Sequence, residues 1–304
     1  MFSDSEAFVV KFWGVRGSIP SPGGETIRYG GNTPCVEMQV CGERLIFDAG
    51  TGIRCLGKQM MAEGPISARL FLSHYHWDHV QGFPFFEPAF TPENQFEIYG
   101  AIALDGSTVE QRLGLQMLHP NFPVSLQIMA SNLTFRDLVP GDRLSLGNSR
   151  YDSSNNRVLI ETALLNHPGG AVGYRVSAQG RSVVYATDTE HYPNRVDPNL
   201  LHLARQADVL IYDSTYTDDE YHSRRCSKVG WGHSTWQEAV KLAQAAGVKQ
   251  LVIFHHDPAH NDDFLDNVAA AVQERCMGAV MAREGMEIVL QRSPIAVYSP
   301  VSPV

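Results

Sequence analysis

The stretch that most constrains this chain is Ser73-His-Tyr-His-Trp-Asp-His79, which follows a short apolar run typical of a buried strand. Alternate side chains at a strand end point to the same side, so His74 and His76 would lie together, and a turn would bring Asp78 and His79 to meet them. Desolvating so many polar groups is costly unless they bind something. Imidazoles and carboxylates are ligands of divalent cations such as zinc. The stretch therefore predicts two adjacent metal sites, with a solvated surface loop as the alternative.

Length and composition bound the architecture. The chain has 304 residues, of which 43% are hydrophobic, enough for a sizeable core. No linker or repeat divides it, so residues 1–291 are predicted to form one domain. Within that domain, residues 83–156 are predicted to form a wall of the site. Residues 292–304 are predicted to be a loose Pro-rich tail. No run of about 18 apolar residues predicts a membrane span. Five scattered cysteines and an N-terminus unlike a secretion signal favour a cytoplasmic location.

The balance of charge disfavours a large nucleic acid as a partner. The chain carries 33 acidic and 24 basic residues, a formal net charge of -9, and we see no block rich in Lys and Arg. Proteins that wrap a long nucleic acid neutralise many phosphates with such residues. We therefore expect a small phosphodiester or a cyclic-nucleotide-like anion, held by bound cations rather than by a basic face, and no membrane partner.

The order of predicted elements indicates the fold class. Strand-like runs at 35–40 and 44–48 follow each other as in a hairpin. Later strand-like runs, of which 250–254 is typical, alternate with helical patterns. The region between them is harder to assign, and its apolar run 126–129 is predicted to be a strand. The order as a whole predicts an α/β arrangement in which helices cover a sheet.

Further ligand types recur where predicted strands end. His167, Asp188 and His255 each follow a strand-like run. Loops at the ends of rigid strands are where an α/β scaffold carries function, so several such residues together favour a shared site over isolated structural roles. Asp48 ends an earlier strand before a Gly-rich turn. A buried carboxylate there either shapes the turn or orients a metal-binding histidine.

This ordered set resembles the metallo-β-lactamase superfamily. It comprises the His-x-His-x-Asp-His motif, the upstream Phe47-Asp-Ala-Gly50 and the three downstream residues. The resemblance implies an αββα sandwich with two metals at the sheet edges. The ligands that it implies are His74, His76 and His167 for one metal, Asp78, His79 and His255 for the other, and Asp188 as a bridge, with Asp48 in support. His256 is the alternative to His255.

Within that superfamily the chain is most similar to the branch of tRNase Z and the bacterial phosphonate-pathway cyclic phosphodiesterase. Gly232-His-Ser-Thr-Trp-Gln-Glu-Ala239 resembles the His-Ser-Thr helix of tRNase Z, and Tyr212-Asp-Ser-Thr-Tyr216 occupies the place of its His-Glu-Ala-Thr segment. The resemblance implies that His233, oriented by Asp213, contacts a non-bridging phosphate oxygen or protonates the departing alkoxide. The alternative is that His233 merely begins a helix.

The resemblance implies a dinuclear metal-dependent phosphodiesterase, in which a hydroxide held between two divalent cations attacks phosphorus. Its catalytic residues would be Asp78, His233 and Asp213. We expect Zn²⁺, with Mn²⁺ or Fe²⁺ as alternatives, and related enzymes are often homodimers. Further candidates for the substrate pocket, or else solvated loop residues, are His256, Asp257, His260 and His191. The rival functions are tRNA 3′-end processing, thioester or lactam hydrolysis, and an inactive metal-binding regulatory module.

Overall fold

The computed structural model describes residues 7–147, 157–291 and 295–299. Its strands form two mixed sheets, ordered β15-β14-β1-β2-β3-β4-β5-β6 and β13-β12-β11-β10-β9-β8-β7. In chain order the strands are β1 (Phe8–Gly14), β2 (Cys35–Val40), β3 (Glu43–Phe47), β4 (Ser67–Phe71), β5 (Gln95–Ala101), β6 (Asn132–Leu138), β7 (Arg143–Leu146), β8 (Val158–Leu165), β9 (Ala171–Ala178), β10 (Arg181–Ala186), β11 (Val209–Asp213), β12 (Gln250–Phe254), β13 (Val280–Met281), β14 (Glu287–Leu290) and β15 (Ile295–Tyr298).

Helices cover the outer face of each sheet. In chain order they are α1 (Gly52–Met60), α2 (Trp77–Val80), α3 (Val109–Gln116), α4 (Pro198–Ala204), α5 (Asp218–Tyr221), α6 (Trp236–Ala246) and α7 (Asp262–Arg275). The first sheet packs against α1 and α3, and the second against α4, α6 and α7. The predicted α/β sandwich of αββα type is therefore confirmed. Among the described residues, none of the helices combines the length and apolar character needed to cross a bilayer.

The main core lies between the two sheets. In β1 the buried residues Phe8, Val10 and Phe12 alternate with partly exposed ones, so one face of this strand points inward. The ring of Phe12 meets that of Phe254, from the second sheet, at a centroid distance of 6.1 Å. All five residues of β11 are buried, because helices cover the outer face of its sheet.

Strand direction brings the site residues to one edge of the sandwich. In the second sheet β10, β11 and β12 are parallel, so Asp188, Asp213 and His255 lie at neighbouring carboxyl ends. In the first sheet β3 and β4 are parallel, and Asp48 follows β3. The hydroxyl of Tyr185, in β10, donates to the carboxylate of Asp48 at 2.7 Å. The functional edges of the two sheets are therefore in direct contact.

Two predictions about chain segments change. The segment 292–304 is not a loose tail throughout, because its described strand β15 pairs antiparallel with β14 and extends the sheet. The apolar run 126–129 is a 3₁₀ turn, Leu126–Ile128, rather than a strand, since such short runs carry no clear periodicity. Within 83–156, three strands belong to the two sheets, while 148–156 lie outside the described residues. That 83–156 wall the site stays a prediction.

Candidate metal centre

The seven predicted ligand residues meet at this edge in two adjoining clusters. Within each cluster the ligand atoms all lie within 4.8 Å of one another. Asp188 belongs to both clusters and so joins them. The members are His74, His76, His167 and Asp188 in the first cluster, and Asp78, His79, Asp188 and His255 in the second.

Three residues of this edge have a left-handed backbone conformation. The angle φ is 62° at Asp48, 53° at Asp188 and 65° at His255. Residues other than glycine rarely adopt such values, which cost about 1–3 kcal/mol each and persist mainly at functional sites. Asp48 and His255 directly follow a strand, and Asp188 lies two residues after the end of β10. In this conformation the side chains of Asp188 and His255 reach the clusters, and that of Asp48 reaches Nδ1 of His79.

Asp48 is fully buried, and its carboxylate accepts four hydrogen bonds. The donors are the backbone N–H and hydroxyl of Ser73 at 2.7 and 2.8 Å, the hydroxyl of Tyr185 at 2.7 Å and Nδ1 of His79 at 2.8 Å. Because a carboxylate accepts and cannot donate, His79 carries its proton on Nδ1. Asp48 therefore orients the ring of His79.

The second nitrogen of His79 faces two carboxylates. Its Nε2 lies 3.1 Å from Asp78 and 3.1 Å from Asp188, and has no hydrogen-bond partner within the described part of the chain. In the neutral ring this nitrogen carries a lone pair, which is repelled by two carboxylates unless a positive charge lies between them. Burial alone would lower the pKa of His79, but Asp188, Asp78 and Asp48 together raise the pKa well above its ordinary value. The cluster therefore favours a cation at this position.

His74 and His255 repeat this arrangement through hydroxyl groups. Nδ1 of His74 lies 3.0 Å from the hydroxyl of Ser73, and Nδ1 of His255 lies 3.0 Å from that of Thr215. Each hydroxyl already donates to a buried carboxylate, so it accepts the proton of the ring. The remaining Nε2 atoms lie 3.6 and 3.2 Å from Asp188. Both lone pairs are therefore directed at the same carboxylate.

His167 and His76 complete the first cluster. Nδ1 of His167 donates to the carbonyl oxygen of Gly232 at 2.7 Å, which leaves its Nε2 lone pair 3.0 Å from Nδ1 of His76 and 3.7 Å from Asp188. Imidazoles fixed through Nδ1 by a carbonyl, hydroxyl or carboxylate are the usual arrangement around a bound metal. The nitrogen and oxygen donors and the unpaired buried lone pairs therefore fit divalent cations such as zinc.

A loop that the sequence patterns did not single out contacts the second cluster. The backbone N–H of Ser18 donates to the carboxylate of Asp78 at 2.7 Å. At Gly17, a Cβ atom would lie 2.4 Å from the ring of His255. The turn-forming residues here predict only a loop, because a backbone donor has no signature in the sequence. The loop thus orients one carboxylate and leaves room for one imidazole.

Asp213 and His233 form a buried pair beside the clusters. Nδ1 of His233 lies 2.9 Å from the carboxylate of Asp213, so the short side chain of Asp213 reaches the ring. The ring of His233 stacks on that of His255 at 5.0 Å. Burial alone would lower the pKa of His233, but Asp213 and Asp188 raise it to about 9. Because α6 begins after its own cap, Thr235, His233 lies two residues before that cap and does not begin the helix.

The four candidates for the substrate pocket lie outside both clusters. His256 is buried, packs against Tyr29 at 5.7 Å and lies 2.9 Å from the carbonyl oxygen of Ala282, whereas the neighbouring His255 joins the second cluster. The other three bind local groups: His260 binds Glu220 at 2.7 Å, His191 binds Ser234 at 3.1 Å, and Asp257 accepts from the N–H of Ala259 at 2.8 Å. Contact of these three with a substrate stays a prediction.

Glu190 is a structural support that no sequence pattern indicates. Its carboxylate accepts from the N–H of Gly230 at 2.7 Å, from the N–H of Gly232 at 2.8 Å and from the hydroxyl of Tyr221. Gly232 in turn holds Nδ1 of His167 through its carbonyl oxygen. The loop before His233 is therefore fixed to the first cluster.

Comparison with known proteins agrees with this geometry. The family model described as the beta-lactamase superfamily domain matches residues 43–256. A ribonuclease Z of Picrophilus torridus is 26% identical over 292 residues, covering 85% of this chain and 88% of its own length. A ribonuclease Z of Methanosarcina mazei is 28% identical over 294 residues, covering 83% and 88%.

Solved structures show the same fold. The short form of human tRNase Z has a TM-score of 0.61 at 20% identity, covering 92% of this chain and 98% of its own. A diphosphatase of the PhnP family has a TM-score of 0.65 at 16% identity, covering 94% and 98%. At these identities the likeness concerns the fold alone.

The prediction that a large nucleic acid is disfavoured as a partner is wrong. The relatives that cover most of this chain are named as ribonucleases, and a tRNase Z shares its fold. Net charge sums over the whole surface, whereas binding of a nucleic acid depends on the charge at the surface of contact. The acidic balance of the chain therefore does not exclude RNA.

Proposed function

This chain is a metal-dependent hydrolase of the metallo-β-lactamase superfamily, and we propose that the bond it hydrolyses is a phosphodiester. The observation that carries the proposal is the buried pair of Asp213 and His233 beside the metal ligands, with 2.9 Å between Nδ1 and the carboxylate. A carboxylate that orients an imidazole provides a group for proton transfer. The departing oxygen of a phosphodiester needs such a proton or a contact that stabilises its charge.

Two divalent cations, with zinc expected first, would bind the two clusters. When bound, they would lower the pKa of a water molecule and neutralise phosphoryl oxygens. The chain's own contribution is orientation, because the Nδ1 partners of four of the histidines leave their Nε2 lone pairs directed at the cation positions; these are His74, His79, His167 and His255. The first cation would take His74, His76 and His167, and the second Asp78, His79 and His255, with Asp188 contributing to both.

His233 would act through its Nε2 atom. Because Nδ1 donates to Asp213, Nε2 is the atom left to hold a proton or to donate one to the departing oxygen. The side chain of His233 is only 12% exposed, so little bulk water competes for that proton. Asp78 and Asp188 would hold cations rather than transfer protons in this scheme.

A second candidate function is cleavage of a precursor tRNA near its 3′ end. It is supported by the relatives named ribonuclease Z, which cover 83–85% of this chain. This function is a special case of phosphodiester hydrolysis and would use the same residues. Cleavage of a precursor tRNA with an efficiency well above that of small phosphodiesters would favour it.

The test is a panel of substrates offered to protein loaded with Zn²⁺ or Mn²⁺, with the bound metal counted in the same samples. The phosphodiesters are bis(p-nitrophenyl) phosphate, cyclic nucleotides and a precursor tRNA, and nitrocefin and a glutathione thioester represent the rival hydrolases. We expect turnover of phosphodiesters only. Protein that holds its cations and turns over no phosphodiester would contradict the proposal, and turnover of nitrocefin or the thioester alone would favour a rival.

A further inference from the structure

The basic loop, residues 222–231, connects α5 to Gly232 and His233. It holds Arg224, Arg225 and Lys228 within five residues, on a chain whose formal net charge is -9. Arg224 and Arg225 are exposed, and neither forms an ion pair or hydrogen bond with any residue in 7–147, 157–291 or 295–299. The loop therefore presents positive charge to solvent, and it leads into Gly232, whose carbonyl oxygen binds the ligand His167.

The neighbouring carboxylates of α5 form their contacts with residues outside the basic loop. In α5, Asp218 accepts from the hydroxyl of Thr235 at 2.6 Å, and Glu220 pairs with His260 at 2.7 Å. Asp219 is the exposed acid that remains in that helix. All three carboxylates keep their charge, but within the described residues none of them is paired with Arg224, Arg225 or Lys228, so these cations remain available to a ligand.

An aromatic contact path links the basic loop to the candidate catalytic pair. Nζ of Lys228 lies 3.9 Å from the ring centroid of Trp231 and 5.5 Å from that of Tyr216. The ring of Tyr216 lies 6.1 Å from that of His233. Glu190 fixes the end of the loop through the backbone N–H groups on both sides of Trp231. The position of Lys228 and Trp231 relative to the metal centre is therefore set by the fold.

Two large aromatic side chains next to the site remain exposed. Trp231 is 52% exposed, and Trp77, between the ligands His76 and Asp78, is 81% exposed. Exposed aromatic rings beside a positive surface are how proteins hold single-stranded nucleic acid, because every base has a face on which a ring can stack. The two indoles therefore provide exposed stacking surfaces, one within the ligand motif and one at the end of the basic loop.

We infer that the basic loop binds a single-stranded nucleic acid on one side of the scissile phosphodiester, with Arg224, Arg225 and Lys228 at its phosphates and Trp231 against a base. This inference rests on the proposed phosphodiesterase function and names its substrate class. Cations at the metal centre would bind the scissile phosphate. The three positive charges of the basic loop would therefore bind other phosphates of the same substrate. An isolated cyclic nucleotide has no such phosphates, whereas a strand does.

Binding is tested separately from turnover by fluorescence anisotropy of labelled single-stranded RNA and DNA. The protein is metal-loaded and carries His233→Ala. Adding Arg224→Glu and Arg225→Glu should weaken binding at least about tenfold and flatten the slope of log affinity against log salt by about 1.4, since each contact with a single-strand phosphate contributes about 0.7. Undiminished affinity would overturn the inference.

The matched control is the double variant Lys58→Glu and Arg205→Glu. It changes the formal charge by the same amount at exposed positions at the ends of α1 and α4, outside the basic loop. Its affinity for the strand should stay within about twofold of the parent protein. An equal loss in both double variants would reduce the effect to net charge and would overturn the assignment to the loop.

Trp231 gives an uncharged test of the same surface. Trp231→Ala should weaken strand binding several-fold, and Trp231→Phe should retain most of it, because stacking needs an aromatic face rather than an indole. Equal affinity of the Ala and Phe variants would overturn the stacking contact. Circular dichroism of each variant checks that the fold is intact.

Turnover separates this inference from the proposed function. In Arg224→Glu/Arg225→Glu, the ratio of kcat/KM for an oligonucleotide to kcat/KM for bis(p-nitrophenyl) phosphate should fall about tenfold, mainly through KM. Protein that hydrolyses the small phosphodiester but neither binds nor cleaves the strand would overturn the inference and leave the function standing. Loop-dependent binding without any hydrolysis would overturn the function and leave the strand contact standing.

Discussion

Asp48 and His79 are 31 positions apart in the chain and meet at 2.8 Å, carboxylate to Nδ1, in the buried layer behind the metal ligands. The same carboxylate accepts from the hydroxyl of Tyr185 in the opposite sheet. The orientation of one imidazole therefore depends on how both sheets pack. Because the contact also fixes which nitrogen carries the proton, it decides that Nε2 of His79 faces Asp78 and Asp188.

Replacing Asp48 by Asn should lower metal affinity about 10- to 100-fold, the usual effect of removing the partner of a ligating histidine. An amide offers one acceptor oxygen where four donors now converge, and its NH₂ group would oppose them. Competition with a chelator measures the affinity. The control is Asp208→Asn, at the amino end of β11, where the carboxylate also accepts a backbone N–H. Unchanged affinity in Asp48→Asn would refute the orienting role.

Replacing Asp188 by Ala should empty both clusters, because one of its carboxylate oxygens faces Nε2 atoms of the first cluster and the other faces Nε2 atoms of the second. We expect loss of turnover together with loss of most bound metal. The comparison variant is His76→Ala, which belongs to the first cluster only and should reduce the metal content less. Elemental analysis after dialysis measures both. An Asp188→Ala protein that keeps its full metal content would disprove the shared position.

Replacing His233 by Ala should lower kcat about 10²- to 10⁴-fold while both cations stay bound, since the ring would serve proton transfer rather than ligation. Asp213→Asn should give a similar loss, because Asp213 acts through the ring that it orients. The double variant should be little worse than either single variant, as expected for residues that act as a unit. A loss of kcat in the double variant equal to the product of the two single losses would argue against this division of roles. Release of metal from His233→Ala would also argue against it.

The side chains of the centre could be located from the sequence because strand ends and a dense motif carry them. His74 to His79 stand in one short stretch, and His167, Asp188 and His255 each follow a strand in the order that the resemblance implies. The carboxyl ends of parallel strands share an edge, so their meeting in space follows from the fold class. The fold was predictable because the same motif and the order of the strand-end residues carry the resemblance to the superfamily.

Other parts of the site have no such signature. The N–H of Ser18 contacts Asp78, and a backbone donor looks the same in every residue. The role of Glu190 depends on two amide groups about 40 positions away. Net charge, the quantity that the sequence gives most easily, led to the wrong conclusion about nucleic acid, since a sum over 304 residues conceals the three cations of the basic loop.

Alkaline stability should depend on Tyr29. Its side chain is fully buried, and burial, followed by the hydrogen bond to Asp266 at 2.8 Å, raises the pKa of the phenol from 10.0 to about 12. A raised pKa favours the neutral phenol in the folded state. The contribution of Tyr29 to the free energy of unfolding is of the order of 2 kcal/mol. It is fully present below the pKa of the phenol in the unfolded state and is lost as pH rises through its pKa in the folded state. Denaturant unfolding across this range should show a smaller alkaline loss for Tyr29→Phe than for the parent, and an identical loss would contradict the assignment.

Gly17 should tolerate no side chain, although it lies in a loop. A Cβ atom there would stand 2.4 Å from the ring of His255, which is buried and cannot move aside without losing Thr215 and the second cluster. Gly17→Ala should therefore lower the free energy of unfolding by about 1–3 kcal/mol and weaken metal binding as well. Gly24→Ala is the matched control, because it lies in the same connection with nothing within 4 Å of its Cβ position. Thermal unfolding and chelator competition on both variants measure the two effects. Only Gly17 approaches a ligand, so Gly24→Ala should keep its metal affinity. A loss of metal affinity in Gly24→Ala, or no loss in Gly17→Ala, would show that this close contact does not position His255.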